Sequence, residues 1–484
     1  MNEDTREFRW YEGFALCIGM IGIQISSEVI AQWGNYFYTP TEGVGRTLYI
    51  TAIMATVVFA FGRITDAITD PLIGIWSDNT RTVPSRWRFP RIAGRRRPFI
   101  FWGSILMTFT GIAFWFPPVQ GTSYLNFLYA LLLMSLHWGV FTVAMIPLNA
   151  LGPEIARSKK ARAQIGTWVG IGMVFGMAVA GIIPPVLIQA FRPADLPPET
   201  FSPVGYQKAA TVLAFVSLAC FQFPVWLIRE RFDSTAASGS HATPLNQVKH
   251  ALRNRAFVSY FFAFFFMTIG YLALQNALPY WAELGLGGNE GYVTFLLLPF
   301  ILTAMLTMPF YAVIAPHVHI KWQMALAIGI ITLVMPLTYV AAVWQPVYTG
   351  TPGAALSQWM ALLGADDPVS AIKTAWGAAL FGFCGIGQGL LYAILVPALG
   401  EIIDYDAAQT GERKEALFLG LHGVAWKASQ TLSIALFNLL VHFLGKSPSE
   451  PWGVFYTGPV AGVFGLLGFI AIMFFPRFEH PKNG

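Results

Sequence analysis

LYITAIMATVVFAFGRITDAITDP, residues 48–71, is a long apolar run that closes on one arginine and two aspartates. About 20 predominantly apolar residues suffice to cross a bilayer as a helix, so the length alone reads as a span. An ionisable side chain at the bilayer centre costs about 2.5–3.5 kcal/mol on insertion scales. Arg63, Asp66 and Asp70 are therefore expected to face a bundle interior or water rather than lipid.

Working outward, the rest of the chain repeats the pattern. Of its 484 residues 55% are apolar and 11% charged, where a soluble domain carries about a quarter charged residues. Twelve apolar runs follow one another, at roughly 11–38, 46–77, 98–117, 123–153, 163–191, 206–229, 256–284, 291–316, 322–345, 371–400, 415–444 and 453–476. Lipid cannot satisfy loose backbone groups, so only helices and closed barrels span. The runs lack strand alternation, which predicts an all-α membrane protein with 12 transmembrane helices.

With the N-terminus taken as cytoplasmic, 23 of the 30 Lys and Arg fall in the N-tail, the even-numbered connections and the C-tail. That bias places both termini inside and makes the net charge of +5 a topology signal, not a sign of nucleic-acid binding. The densest cluster is RTVPSRWRFPRIAGRRRP at 81–98. Cys17, Cys220 and Cys384 sit in three separate spans, which suggests packing residues and no disulfide framework. The opening MNEDTREFRW is polar and acidic, unlike a cleavable signal peptide.

The connection FDSTAASGSHATPLNQVKHALRNR divides the spans six and six. The expected organisation is a six-helix bundle over 1–231, a cytoplasmic linker over 232–255 and a second six-helix bundle over 256–484. The halves echo each other: span IV ends AMIPLNALGPEI (144–155) and span X ends AILVPALGEII (393–403). Transporters built from such repeats place their site near the midplane.

Asp66 and Asp70 are spaced i, i+4 and share a helix face with Arg63. Two carboxylates at this spacing can coordinate a small cation, with Thr69 adding an oxygen and Pro71 freeing a carbonyl. Alternatively, repulsion and burial let one of them bind and release a proton. The plainer reading is a structural Arg63–Asp66 ion pair. Lys427 stands in LHGVAWKASQT, a dozen residues from an interface, and calls for a carboxylate partner, Asp66 or Asp70. Glu28 lies on span I with Gln24, Gln32 and Asn35 in a polar stripe that suggests a cavity wall. Glu401, Asp404, Arg413 and Glu415 flank the connection GEIIDYDAAQTGERKE and, with Asp78 at the end of span II, suggest an inner-face gate network of salt bridges.

GRITDAITDPLIGIWSDNTRT with GRRRPFI resembles the helix II and loop signature of the glycoside–pentoside–hexuronide cation symporters, a branch of the major facilitator superfamily that includes the melibiose carriers. GEIIDYDAAQTGERKEALFLG with Lys427, and IPLNALGPEIA, resemble two further signatures of that family. The resemblance implies a major facilitator fold of two pseudo-symmetric bundles, alternating access and cation-coupled transport, with Asp66 and Asp70 as cation ligands and Thr69 beside them. It also implies a monomer in the bacterial inner membrane. Where melibiose carriers hold their sugar with two acids and an arginine, this chain has Gln24, Met145 and Gly170, and Asn149 replaces a tryptophan. Melibiose is therefore disfavoured, and H+ becomes as plausible a coupling ion as Na+.

Aromatic faces and amides that could line a sugar pocket are Trp138, Gln275, Asn276, Tyr280, Trp281, Gln388, Tyr392 and Trp426. His137, His422 and His442 read as hydrogen-bonded bundle residues. GIGQG at 385–389 follows no strand and reads as helix packing through small residues. No nucleotide loop, metal-ligand cluster or catalytic constellation is apparent, and no cofactor is expected beyond the coupling ion. The expected function is symport of a sugar or glycoside. The alternatives are a carrier of an amphipathic substrate such as a lysolipid, a non-transporting membrane sensor, or a membrane enzyme built on Glu401 and Asp404.

Overall fold

A computed structural model describes residues 9–43, 46–80, 94–155, 159–194, 202–230, 251–289, 291–314, 317–349, 351–363, 367–410 and 415–476. The chain divides into two compact units, Met1–Gly239 and Ser240–Gly484. The first contains α1 (Trp10–Tyr38), α2 (Ala52–Asn79), α3 (Arg97–Ala113), α4 (Tyr124–Ile155), α5 (Lys159–Ala190) and α6 (Pro203–Leu227). The second contains α7 (Arg255–Leu284), α8 (Tyr292–Ile314), α9 (Ile320–Val343), α10 (Ala354–Leu363), α11 (Pro368–Thr410), α12 (Glu415–Leu444), α13 (Trp452–Phe455) and α14 (Thr457–Met473). Among the described residues ten helical spans, the last formed by α13 and α14 together, are long and apolar enough to cross a membrane. The shorter α3 and the intensely apolar α8 bring the count to the expected twelve.

Packing repeats from one unit to the other. In the first, α1 packs on α5 and α6, α4 on α2 and α3, and α3 on α6. In the second, α7 packs on α12 and α14, α11 on α8 and α9, and α9 on α14. These are the same five pairings displaced by six spans. Close approach depends on small residues. A Cβ on Gly389 would stand 2.8 Å from Ala304 Cα, and one on Gly387 2.7 Å from Ile331 Cγ1. GIGQG is thus the seam where α11 meets α8 and α9. The outward faces are apolar: Leu132 is 67% exposed and Leu333 74%. Water would make that surface costly, whereas lipid does not, so the burial pattern belongs to a membrane protein.

Helix ends follow local chemistry. Thr51 accepts the Met54 N–H at 3.3 Å, and Asn254 Oδ1 accepts the N–H groups of Ala256 and Phe257 at 3.0 and 3.1 Å. Asn254 also donates to Asp406 Oδ1 at 3.1 Å, joining the start of α7 to the end of α11. One helix lies outside the twelve expected spans, and one boundary differs from expectation. The short α10 falls in the connection between the ninth and tenth spans. And α11 continues to Thr410, so Glu401 and Asp404 sit on its last turns and not on a loop. After Gly400 the run EIIDYDAAQT contains neither Gly nor Pro, so nothing in it stops the helix before Thr410.

Candidate functional site

The first unit holds a buried polar cluster between two of its membrane-spanning helices, α2 and α4. Asp66 is 2% exposed, and Asp70 and Thr69 are half-buried one turn further along α2. Facing them, α4 supplies Thr142, which is fully buried. Thr142 Oγ1 donates toward Asp66 Oδ1 at 2.9 Å, Asp70 Oδ1 at 3.2 Å and the Trp138 carbonyl at 3.1 Å. Thr69 Oγ1 reaches Thr142 Oγ1 at 3.3 Å while also donating to the Thr65 carbonyl at 2.9 Å. A hydroxyl has one proton, so Thr142 serves these three acceptors one at a time. Two carboxylate oxygens and a hydroxyl oxygen converge where lone pairs outnumber protons. Hard oxygen donors of this kind suit a proton or a small hard cation.

Helical periodicity sets the arrangement. Asp66 and Asp70 are four apart, as are Trp138 and Thr142, so each helix presents its pair on one face. Pro71 sits inside α2 and lacks an N–H, which releases the Ala67 carbonyl from its helical bond.

Arg63 is 6% exposed and caps the cluster on its N-terminal side. Its guanidinium carbon lies 3.8 Å from the Trp138 ring centroid, while its nearest nitrogen is 3.9 Å from Asp66 Oδ2. It also interacts electrostatically with Glu28 of α1. Glu28 and Gln24 are half-buried; Gln32 is buried, with its Nε2 lacking a hydrogen-bond partner. His137, fully buried, bonds Thr110 Oγ1 through Nδ1 at 3.2 Å and leaves Nε2 without a partner.

Other expected site residues are placed differently. Trp138, an anticipated sugar platform, is 2% exposed, and its face is taken by Arg63. Asn149 is exposed and donates to Met145 Sδ at 2.8 Å. In the second unit, Lys427, Gln275 and Trp426 are half-buried and Asn276 and Gln388 buried. Trp426 stacks on Phe264 at 5.9 Å, which in turn packs on His422 at 4.4 Å. Tyr280 is wholly buried against Phe437, with centroids 5.1 Å apart, and Trp281 donates to the Thr338 carbonyl at 3.2 Å. Both serve the unit's interior.

Of the expected inner-face network, Glu401 is half-buried and Asp404 exposed. Arg413 and the side chains of Asp78 and Glu415 lie outside the described residues. A different network is present in the first unit. Glu154 Oε1 accepts from Arg95 Nη2 at 2.5 Å and Arg96 Nε at 2.6 Å. The Glu230 carboxylate accepts the backbone N–H groups of Arg95, Arg96 and Arg97 at 2.5, 2.9 and 2.7 Å. A carboxylate at a helix N-terminus meets orphan amides and the positive dipole end together. Sequence reading found the arginines through GRRRPFI but missed both glutamates and Thr142. The nearest signal was the position of Glu154 at the end of AMIPLNALGPEI.

Two units of six spans each, with repeated packing and a buried charged cluster, are the architecture of a membrane transporter of the major facilitator fold. The chain belongs to the family described as MFS/sugar transport protein, which matches residues 15–476. It is 23% identical to an uncharacterised symporter of Synechocystis over 95% of this chain and 92% of that one. It is 21% identical to the isoprimeverose transporter of Lactiplantibacillus pentosus, over 89% and 80%. The crystal structure of the nucleoside transporter NupG shares the fold, with a TM-score of 0.61 at 12% identity over 96% of this chain and all of that one. The protein is thus a multi-pass secondary symporter of the major facilitator superfamily.

Proposed function

We propose that this symporter couples the movement of H+ or Na+ to that of a sugar or glycoside by alternating access. The observation that carries the reading is the shared Thr142 hydroxyl between Asp66 and Asp70. Two acids that share one donor repel each other, and a bound cation relieves that repulsion. Binding a cation there neutralises charge inside the bundle, which lowers the cost of carrying that helix pair through a conformational change. Lys427 is the expected coupling residue of the second unit. The sugar assignment draws on the relative described as an isoprimeverose transporter and on the amides Gln24 and Gln32 of α1, since amides hydrogen-bond hydroxyl-rich cargo. The positive-inside bias supports cytoplasmic termini, in a bacterial inner membrane.

The test is cargo uptake by membrane vesicles against a concentration gradient, under an imposed proton or sodium gradient, with a panel of glycosides, pentosides and uronides. Accumulation that is lost in Asp70→Asn with the protein still folded supports the reading. Undiminished accumulation by Asp70→Asn overturns it. Uptake confined to lysolipids would move the cargo to the amphipathic class, the direction in which the apolar Met145 and the side-chain-free Gly170 point.

A further inference from the structure

We infer that Trp138 is a positioning residue: its indole face keeps Arg63 from closing onto Asp66 in a direct hydrogen bond and so eases the approach of an external alkali cation to the Asp66–Asp70 pair. The inference rests on the cation-coupling reading above. A buried guanidinium three residues from a carboxylate on the same helix should close on it in a charge-assisted hydrogen bond near 2.8 Å. Here the nearest approach to Asp66 is 3.9 Å, a long ion pair without the closed hydrogen bond, while the guanidinium carbon lies 3.8 Å over the Trp138 ring.

The indole is itself fixed. Its Nε1–H donates to Met134 Sδ at 3.1 Å, and Phe141 packs edge-on at 5.2 Å. Gly62 makes room for it: a Cβ there would stand 2.6 Å from Met134 Cγ and 2.8 Å from Trp138 Cδ1. One turn of α4 therefore does two things to α2. Trp138 stacks on the resident guanidinium and keeps its ion pair with Asp66 long, and Thr142, four residues on, presents its hydroxyl to both carboxylates. With Arg63 on the indole the carboxylate pair retains more of its negative charge. With Arg63 on Asp66, an incoming Na+ would have to displace a bound guanidinium.

The experiment measures stabilisation of the purified full chain against heat by NaCl, with choline chloride as the ionic-strength control, because a ligand that binds the folded state raises its melting temperature. A desolvated cation–π contact is worth about 2 kcal/mol, which corresponds to roughly a thirtyfold change in affinity. Trp138→Leu is expected to raise the half-effective Na+ concentration by ten- to thirtyfold, and Trp138→Phe, which keeps a ring face, by less than threefold. In an Arg63→Gln background, Trp138→Leu should change it no further, because Trp138 acts through Arg63. An unchanged value in Trp138→Leu, the same shift without Arg63, or a wild-type chain that gains nothing from Na+ over choline overturns the inference. The last of these outcomes leaves a proton-coupled symporter standing. Conversely, the expected Na+ pattern together with full accumulation by Asp70→Asn would remove the coupling reading and keep the role of Trp138.

Discussion

Glu230 accepts the backbone N–H of Arg97 at 2.7 Å, so the residue just beyond α6 caps the first turn of α3. The same carboxylate takes the amides of Arg95 and Arg96. Glu230→Ala strips a charged acceptor from three donors and should cost about 1–3 kcal/mol. Glu230→Gln keeps one acceptor oxygen and should recover part of that. Thermal unfolding of the purified variants checks the order wild type, Gln, Ala.

Glu154 is the carboxylate partner of two buried arginines. Removing one member of a buried ion pair costs about 3–5 kcal/mol because a charge is left uncompensated. Glu154→Ala should therefore destabilise more than Glu230→Ala. Adding Arg95→Met and Arg96→Met to it should restore stability toward wild type. Melting temperatures across the single and triple variants give the comparison; an additive loss would contradict the pairing.

Thr142 supplies the hydroxyl that joins Asp66 to Asp70. Thr142→Val is nearly isosteric and removes only that hydroxyl. Hydrogen bonds to charged groups contribute about 1.5–3 kcal/mol, so the apparent affinity for the driving cation should fall roughly ten- to a hundredfold. Thr142→Ser should remain within a few-fold of wild type. The cation dependence of cargo uptake is the readout.

Gly62→Ala forces a methyl into Met134 and Trp138. Overpacking of this kind costs about 1–3 kcal/mol. The substitution should lower the melting temperature, and Met134→Ala in the same chain should relieve most of the loss by vacating the nearest atom.

The spans were legible because bilayer thickness writes itself into sequence as a run of some twenty apolar residues. Arg63, Asp66 and Asp70 were legible because a charge in such a run is anomalous. Thr142 was not: it lies in FTVAMIP, where a threonine bonded to its own helix looks the same as one aimed at a carboxylate. Only the facing of α4 on α2 separates the two. Trp138 was legible as an aromatic within the bundle but not as the seat of an arginine 75 positions away. Glu154 and Glu230 escaped for the same reason, since their partners come from a segment of the chain far away in sequence, at the start of α3. The end of α11 was misplaced because hydropathy marks where a span leaves lipid, whereas backbone hydrogen bonding carries the helix on to Thr410.

The five helix pairings shared by the two units bear on how the halves divide their labour. By that correspondence α8 stands in the second unit where α2 stands in the first, and α8 contains no Asp, Glu, Lys or Arg at all. The pairing is duplicated, but the charges that α2 carries are not repeated on α8. If α2 takes the coupling ion, as proposed, the corresponding helix of the second unit has no carboxylate to take another, so a duplicated helix plan serves a single ion-binding event.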